Sequence, residues 1–267
     1  MVNLLVWVVV LEIVGLIAFP IGYPLFKGLR DSGYAISKVL GILLGSYIFW
    51  IMATLGIFPN SYPGLIIAFT LFSFLGWFSY QRHRKEINDF FRNNQRNIVT
   101  AEAMFFSAFI LYGLLRSLNP AINLSTLDTI TTEQPMDLML LKATMTSSSY
   151  PPHDSWLSGS AISYYYFGYL AMGWIGRLSL SAAPMAYNFG LITIFALTFM
   201  TVYGTIFNVI ALASDKIQSS LRHAMFAGIL GGLLVLVLGN IVGFLAIVRN
   251  WGIGGAAFWK WLNIPGL

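Results

Sequence analysis

A charge-free run occupies residues 39–81, VLGILLGSYIFWIMATLGIFPNSYPGLIIAFTLFSFLGWFSYQ. A helix of about 20 mostly apolar residues is enough to cross a bilayer, so this run is too long for a single crossing. Its middle, residues 59–64, has the sequence PNSYPG, and such a cluster of Pro, Asn, Ser and Gly is typical of a turn. The run therefore predicts two membrane helices that are joined by a short turn.

The composition of the whole chain supports a membrane protein. Charged residues make up 9% of the 267 residues and hydrophobic residues make up 57%, with a mean hydropathy of +0.74. An average soluble domain is about 25% charged, so these proportions exclude a soluble globular enzyme and a disordered chain. The absence of cysteine excludes a disulfide scaffold, a thiolate zinc site and a cysteine nucleophile.

The remaining apolar runs are continuous, which favours helices over the ten-residue alternation of barrel strands. We expect an all-α polytopic membrane protein of about seven transmembrane helices with one long external loop. Residues 1–97 would form an N-terminal three-helix membrane region with a basic cytoplasmic loop, and residues 98–267 would form the membrane core. The expected spans are about 2–26, two within 39–81, and about 98–115, 161–180, 184–213 and 224–248.

The lysines and arginines predict the orientation of these spans. If the N-terminus is outside, eleven of the fifteen fall on the inner side, which agrees with the positive-inside rule. We therefore expect a protein of the plasma (inner) membrane with its N-terminus and residues 116–160 outside. The basic stretch 82–85 is then an orientation signal at a lipid surface, and we expect no nucleic-acid partner. The inner set is Lys27, Arg30, Lys38, Arg82, Arg84, Lys85, Arg92, Arg96, Arg177, Arg249 and Lys260.

The external loop 116–160 is the strongest candidate for a functional region, because long loops are usually functional or disordered. It contains its own helical signal, since Pro135 suits the first turn of a helix and Asp137 follows in that turn. Apolar residues then recur at helical spacing, so we expect a surface helix that lies on the membrane. The loop carries four of the ten acids, namely Asp128, Glu133, Asp137 and Asp154.

The residues alone leave the role of these acids open. Asp137 is either a partner of the helix dipole or a functional acid, and Glu133 is either a solvated loop acid or a functional one. Glu12 and Glu102 lie within or near spans, where a central carboxylate costs roughly 2.5–3.5 kcal/mol, so we expect each to have a polar partner. No P-loop, GxGxxG, HExxH or GxSxG motif occurs.

Three consecutive tyrosines, Tyr164, Tyr165 and Tyr166, open the expected fifth span. They point to different sides of a helix, so at least one should face the protein interior and need a partner for its hydroxyl. Tyrosines are also expected at a membrane interface.

These segments together resemble the bacterial and archaeal "YYY" family of large membrane proteins. Members of that family have motifs close to E-K-P-M-D, F-P-P-x-D-P-W-x-A-G and N-Y-Y-Y-F-G. The matching segments here are EQPMD at 133–137, YPPHDSWLSG at 150–159 and YYYFG at 164–168. The departures are Gln134 for Lys, His153 and Ser155 in the Pro-rich segment, and Ser163 for Asn.

This family is distantly similar to GT-C glycosyltransferases, which take a sugar from a lipid-phosphate donor. The resemblance implies that residues 98–267 form a partial GT-C-like core, because family members are longer than this chain. It implies a polyprenyl-phosphate sugar as the lipid-linked donor and a possible divalent cation. Asp137 would match the essential acid of the first external loop, with Glu133 as the second candidate catalytic residue. The candidate substrate-binding residues are Arg116, His153, Asp154, Trp156, Tyr164, Tyr165 and Tyr166.

Two other functions fit the same sequence. A non-catalytic membrane scaffold would bind partner membrane subunits through the loop and would have no closed pocket. A transporter would place acids along a path through the membrane and show internal repeats, and no clear repeat occurs. The glycosyltransferase hypothesis instead predicts that Asp137, Asp154 and the Tyr164–Tyr166 segment line one external cavity that opens toward the lipid.

Overall fold

The computed structural model describes residues 2–118, 120, 133–213, 218–239 and 241–264, so Asp128 and its neighbours 121–132 lie outside the described residues. The described chain is helical and contains no β-strand, which confirms the expected all-α class. A 3₁₀ turn at Tyr34–Ile36 precedes the second helix. The helices are α1 Val2–Phe26, α2 Ser37–Thr54, α3 Tyr62–Asn93, α4 Gln95–Leu118, α5 Gln134–Thr146, α6 Phe167–Leu178, α7 Ala183–Ala213, α8 Gln218–Leu238, α9 Ile241–Asn250 and α10 Ala256–Leu262.

Five helices are long and apolar enough to cross a membrane, namely α1, α2 with its 3₁₀ turn, α3, α4 and α7. The pair Leu221–Leu236 and Ile241–Asn250 is bent by 83° and makes a sixth span if it counts as one. The described residues therefore contain five or six candidate spans, against the seven expected. Large apolar side chains such as Leu16, Ile66 and Leu114 are exposed on these helices, as contact with lipid requires. The chain is an integral membrane protein.

The expected span at 161–180 accounts for part of the difference between the seven expected spans and the five or six candidate spans. Its helix, α6, has only 12 residues and is about 18 Å long, whereas the hydrocarbon core is about 30 Å thick. Both ends of α6 contact the end of α2: the Phe167 ring lies 5.8 Å from that of Trp50, and the Arg177 guanidinium lies 5.6 Å from the ring of Phe49. α6 therefore lies across the last turns of α2, and it is too short to cross the hydrocarbon core by itself.

Contacts between the spanning helices define two faces of the bundle. At the first, Arg116 Nε at the end of α4 donates to Asn188 Oδ1 at the start of α7 at 2.7 Å. Asn3 Nδ2 near the start of α1 contacts Met185 Sδ there, at 3.7 Å. We call the end of the bundle that contains the end of α4 and the starts of α1 and α7 the Asp137 face, since α5 and α6 also lie there. At the other end of α7, Asn208 Nδ2 donates to Asp31 Oδ1 at 2.7 Å.

The opposite end of the bundle, which we call the basic face, contains the α1–α2 and α3–α4 connections. α3 has a kink at His83, after which it continues to Asn93. The ring of Phe90 in this second part packs against Phe19 at 5.2 Å, which holds the basic stretch against α1. Most of the lysines and arginines that the sequence assigns to the inner side of the membrane lie at this face. Arg177 is an exception, because its side chain bonds Asn60 in the turn between α2 and α3.

A buried ion cluster joins three helices. The side chain of Lys38 on α2 is 2% exposed, and its Nζ lies 3.0 Å from Glu12 Oε2 on α1 and also pairs with Glu102 on α4. The hydroxyl of Tyr34 donates to Glu102 Oε1 at 2.8 Å. Each glutamate therefore has the polar partner that its position in an apolar span predicts.

We expect Lys38→Met to destabilise the bundle strongly, because it leaves two carboxylates without their cation. Removing one partner of a buried ion pair costs about 3–5 kcal/mol. Lys27→Met is the matched control, since Lys27 and Glu86 are both half-exposed and 3.9 Å apart, and exposed pairs contribute about 0–1 kcal/mol. Thermal unfolding in detergent measures the difference, and equal melting temperatures for the two variants would contradict this role of Lys38.

The position of α6 is testable with single cysteines, because the chain has no native cysteine. Ala182, between α6 and α7, and Ser158 lie at the Asp137 face, and Gln95 lies at the basic face; all three are exposed. We expect a membrane-impermeant thiol reagent to label Ala182→Cys and Ser158→Cys from the same side of sealed vesicles and Gln95→Cys from the other. Labelling of Ala182→Cys together with Gln95→Cys would show that residues 161–180 cross the membrane.

Candidate functional site

The expected loop helix is present as α5, with a proline in its first turn and Asp137 directly after. Its apolar side does not face lipid, in contrast to the expectation of a helix lying on the membrane. Leu141 is buried, and Leu138 and Met145 pack against the same core. α6 approaches closely at Gly173, where a Cβ would lie 3.0 Å from Met145 Cγ. α5 is thus fixed to the protein, and Asp137 is held in a defined place.

The Asp137 carboxylate accepts a hydrogen bond from the hydroxyl of Tyr169 on α6, with 2.5 Å between the oxygens. Tyr187 on α7 interacts with the same carboxylate. Burial and the hydrogen bond to Asp137 raise the pKa of Tyr169 above its ordinary value, so the phenol keeps its proton and remains a donor. Three helices therefore meet at Asp137.

A cavity of about 950 Å³ lies beside this cluster, between α2 and α7 with α6 adjoining. Asp137, Tyr165, Tyr169 and Tyr187 line it at one end. Along α7 its lining extends from Ala186 to Thr201, a distance of about 22 Å at 1.5 Å per residue. Among the described residues that line it, Asp137 is the one with a formal charge, and most of the others are apolar: Ile36, Val39, Leu40, Ile42, Leu43, Leu141, Ala171, Met172, Ala186, Leu191, Ile194 and Leu197.

The cavity adjoins the lipid on one side. Leu43 on α2 is 45% exposed and Ile194 on α7 is 51% exposed, and both line the cavity as well as the outer surface of the bundle. An amphiphilic ligand in this space would therefore meet one acid at its polar end and apolar walls along its length.

Arg116 lies at the same end of α7 as this cluster. Its bond to Asn188 places it beside Tyr187, with which it interacts electrostatically. Asn188 is itself held by the carbonyl of Pro184, 2.9 Å from its Nδ2. Arg116 and the Asp137 carboxylate thus both interact with Tyr187, although Arg116 itself does not line the cavity.

The three consecutive tyrosines have different environments. Tyr166 is partly buried, accepts a hydrogen bond from Trp50 Nε1 at 2.9 Å, and stacks on Tyr150 at 6.1 Å. Tyr164 and Tyr165 are exposed and stack on each other. Tyr165 is the member of the three that lines the Asp137 cavity.

The Pro-rich part of the loop forms a separate turn. Asp154 Oδ1 accepts from the backbone nitrogens of Trp156 at 2.8 Å and Leu157 at 3.0 Å, so this carboxylate closes the turn. The side chains of His153 and Trp156 are exposed, and none of these residues lines the cavity. Tyr150 is buried at the base of the turn and donates to the carbonyl of Thr144 at 2.8 Å. Burial raises the pKa of Tyr150, which keeps this donor protonated.

Glu133 precedes α5, where its carbonyl accepts from Asp137 N at 2.9 Å. Its side chain is exposed and does not line the cavity. In the described part of the chain, no group of three His, Asp or Glu side chains is arranged to hold a metal ion. The described residues thus offer Asp137 as a single carboxylate at the cavity and no ready-made set of metal ligands.

Sequence reasoning did not single out Tyr169, which contacts Asp137 directly. The four-residue spacing from Tyr165 to Tyr169 gives no shared helix face, because Tyr165 precedes α6, which begins at Phe167. The partner was not predictable, since Asp137 lies 32 residues away in the chain.

Comparison with known proteins gives one match. A family model described as an uncharacterized membrane protein (DUF2298) matches residues 44–266. No curated protein and no solved structure matches the chain.

We expect Tyr169→Phe to loosen α5, because the variant removes the hydroxyl that donates to Asp137 and changes little else. A hydrogen bond to a charged group contributes about 1.5–3 kcal/mol, so amide hydrogen exchange in residues 134–146 should become roughly ten- to a hundredfold faster. Tyr47→Phe, at an exposed tyrosine of α2, is the control. Equal exchange in the two variants would show that Tyr169 does not hold α5.

Proposed function

The chain belongs to the uncharacterized membrane protein family DUF2298, and on that premise we propose that it is a GT-C-like glycosyltransferase that uses a lipid-phosphate sugar donor. The single observation that carries this proposal is the apolar cavity with Asp137 at its polar end. Such a cavity suits a ligand with a long apolar chain and one polar head. The resemblance of the loop motifs to the YYY family supports the same conclusion.

Asp137 is the general base in this proposal. It takes the proton of an acceptor hydroxyl as the hydroxyl oxygen forms a bond to the anomeric carbon of the donor sugar. The bond between that carbon and the phosphate oxygen breaks, and the lipid phosphate leaves with the electron pair. Tyr169 orients the carboxylate through its hydrogen bond.

Arg116 stabilises the leaving phosphate in this proposal. Negative charge develops on the phosphate as the sugar departs, and a fixed cation beside it lowers the energy of that state. The position of Arg116 next to Tyr187, which lines the cavity together with Asp137, supports this role. The lipid chain extends from this end along α2 and α7.

The proposed orientation places the Asp137 face and the N-terminus outside the plasma membrane. Most lysines and arginines lie at the basic face, which the positive-inside rule assigns to the cytoplasm. A non-catalytic scaffold is the alternative function. It accounts less well for the cavity, because a scaffold needs a surface for its partners and no concave apolar space beside an acid.

With a sugar present as hydroxyl acceptor, we expect the wild-type protein to transfer hexose from a polyprenyl-phosphate hexose and release polyprenyl phosphate, and Asp137→Asn to do so about 10²–10⁴ times more slowly, as loss of a general base predicts. Glu86→Gln is the matched control, because Glu86 is a half-exposed acid on α3 that pairs with Lys27. Chromatography of the released lipid phosphate gives the rates. Unchanged release by Asp137→Asn would remove Asp137 from the catalytic role.

A further inference from the structure

A second concave surface adjoins the Asp137 cavity. This aromatic groove has a volume of about 350 Å³ and is lined by Tyr47, Trp50, Tyr164, Tyr165, Tyr166 and Phe167. All six lining residues are aromatic, and four of them carry a hydroxyl group. The surface of the groove is nearly all ring surface without a charged group, which favours an uncharged ligand that packs on ring faces.

Two exposed rings form one wall of the groove. Tyr164 and Tyr165 stack with 3.9 Å between ring centroids, and their hydroxyl oxygens are 2.5 Å apart. Each ring uses one face against the other and leaves its second face available, since the two residues are 42% and 74% exposed. The two hydroxyls lie together at one edge of this wall.

The floor of the groove is more firmly held. Trp50 Nε1 donates to the hydroxyl of Tyr166 at 2.9 Å, and Phe167 packs edge-to-face on Trp50 at 5.8 Å. Tyr150 stacks on Tyr166 from below at 6.1 Å. A ligand in the groove would therefore meet a floor that is already ordered, which lowers the entropic cost of binding.

Tyr165 connects the groove to the cavity, because it lines both. A ligand in the groove therefore lies next to the end of the cavity that contains Asp137. This continuity distinguishes the groove from other exposed aromatic residues, such as Phe74 and Trp77 on α3, which stack on each other at 5.8 Å and line neither space.

We propose that the aromatic groove binds a neutral pyranose ring, which is the acceptor sugar of the transfer reaction. The C–H groups on one face of a pyranose carry partial positive charge and pack against the electron-rich faces of aromatic rings. The role as acceptor rests on the proposed function, whereas binding of the sugar does not.

Saturation-transfer NMR on the full chain in nanodiscs tests the proposal, with methyl mannoside, methyl glucoside and N-acetylglucosamine as neutral probes and glucuronate as a charged one. We expect at least one neutral sugar to bind and glucuronate not to bind. Tyr164→Ala and Tyr165→Ala should each weaken binding roughly tenfold. Both truncate exposed side chains, so the fold should persist. Trp77→Ala, which removes an exposed aromatic ring of α3, should bind like the wild type.

Several results would overturn the assignment. The assignment fails if none of the neutral sugars binds, or if both tyrosine variants bind sugar as the wild type does. It also fails if native mass spectrometry shows that the variants change only the amount of bilayer lipid that the protein retains. Asp137→Asn separates the two proposals. If it retains sugar transfer while Tyr165→Ala loses sugar binding, the proposed catalytic role fails and the groove assignment stands. If Asp137→Asn loses transfer but binds sugar normally, both are supported.

Discussion

The short length of α6 determines how the Asp137 face is built. A helix of about 18 Å cannot cross a hydrocarbon core of about 30 Å, so α6 lies across the end of α2 with both of its ends near Trp50 and Phe49. Because α6 stays at this end of the bundle, α7 begins there too, and a cavity extends along α7 beneath α6. The same placement brings Tyr169 to Asp137 and so joins the loop helix to the membrane helices.

Two buried cations stabilise this arrangement in different ways. Lys38 lies between two carboxylates on α1 and α4, where opposite charge offsets the cost of burial. Arg177 is also buried, and its guanidinium bonds the Asn60 side chain and lies 4.9 Å from the ring of Tyr62. Asn60 in turn donates to the carbonyl of Thr144 at 2.9 Å. This chain of contacts connects the end of α6 to the turn after α2 and to the end of α5.

Much of the fold follows from hydropathy, but hydropathy does not distinguish burial in lipid from burial in protein. The turn near Pro59 divides residues 39–81 as expected, and α5, with Pro135 in its first turn, is the helix that this proline predicts. Residues 161–180 are also largely apolar, although they contain Arg177, and their helix packs mostly against protein; its Trp174 is 1% exposed between α2 and α3. Asp137 was predictable as a candidate because of its loop motif. Its partner Tyr169 was not, because that contact depends on where α6 lies.

The account depends most on the cavity being the site of a lipid chain whose head lies at Asp137. The most direct measurement is photocrosslinking of the protein in nanodiscs with a polyprenyl phosphate that carries a diazirine at the far end of its chain, followed by peptide mass spectrometry. The account predicts crosslinks to residues that line the cavity far from Asp137, such as Val39 and Thr198. Crosslinks confined to the outer surface of the bundle, such as Phe74 and Trp77 on α3, would contradict it.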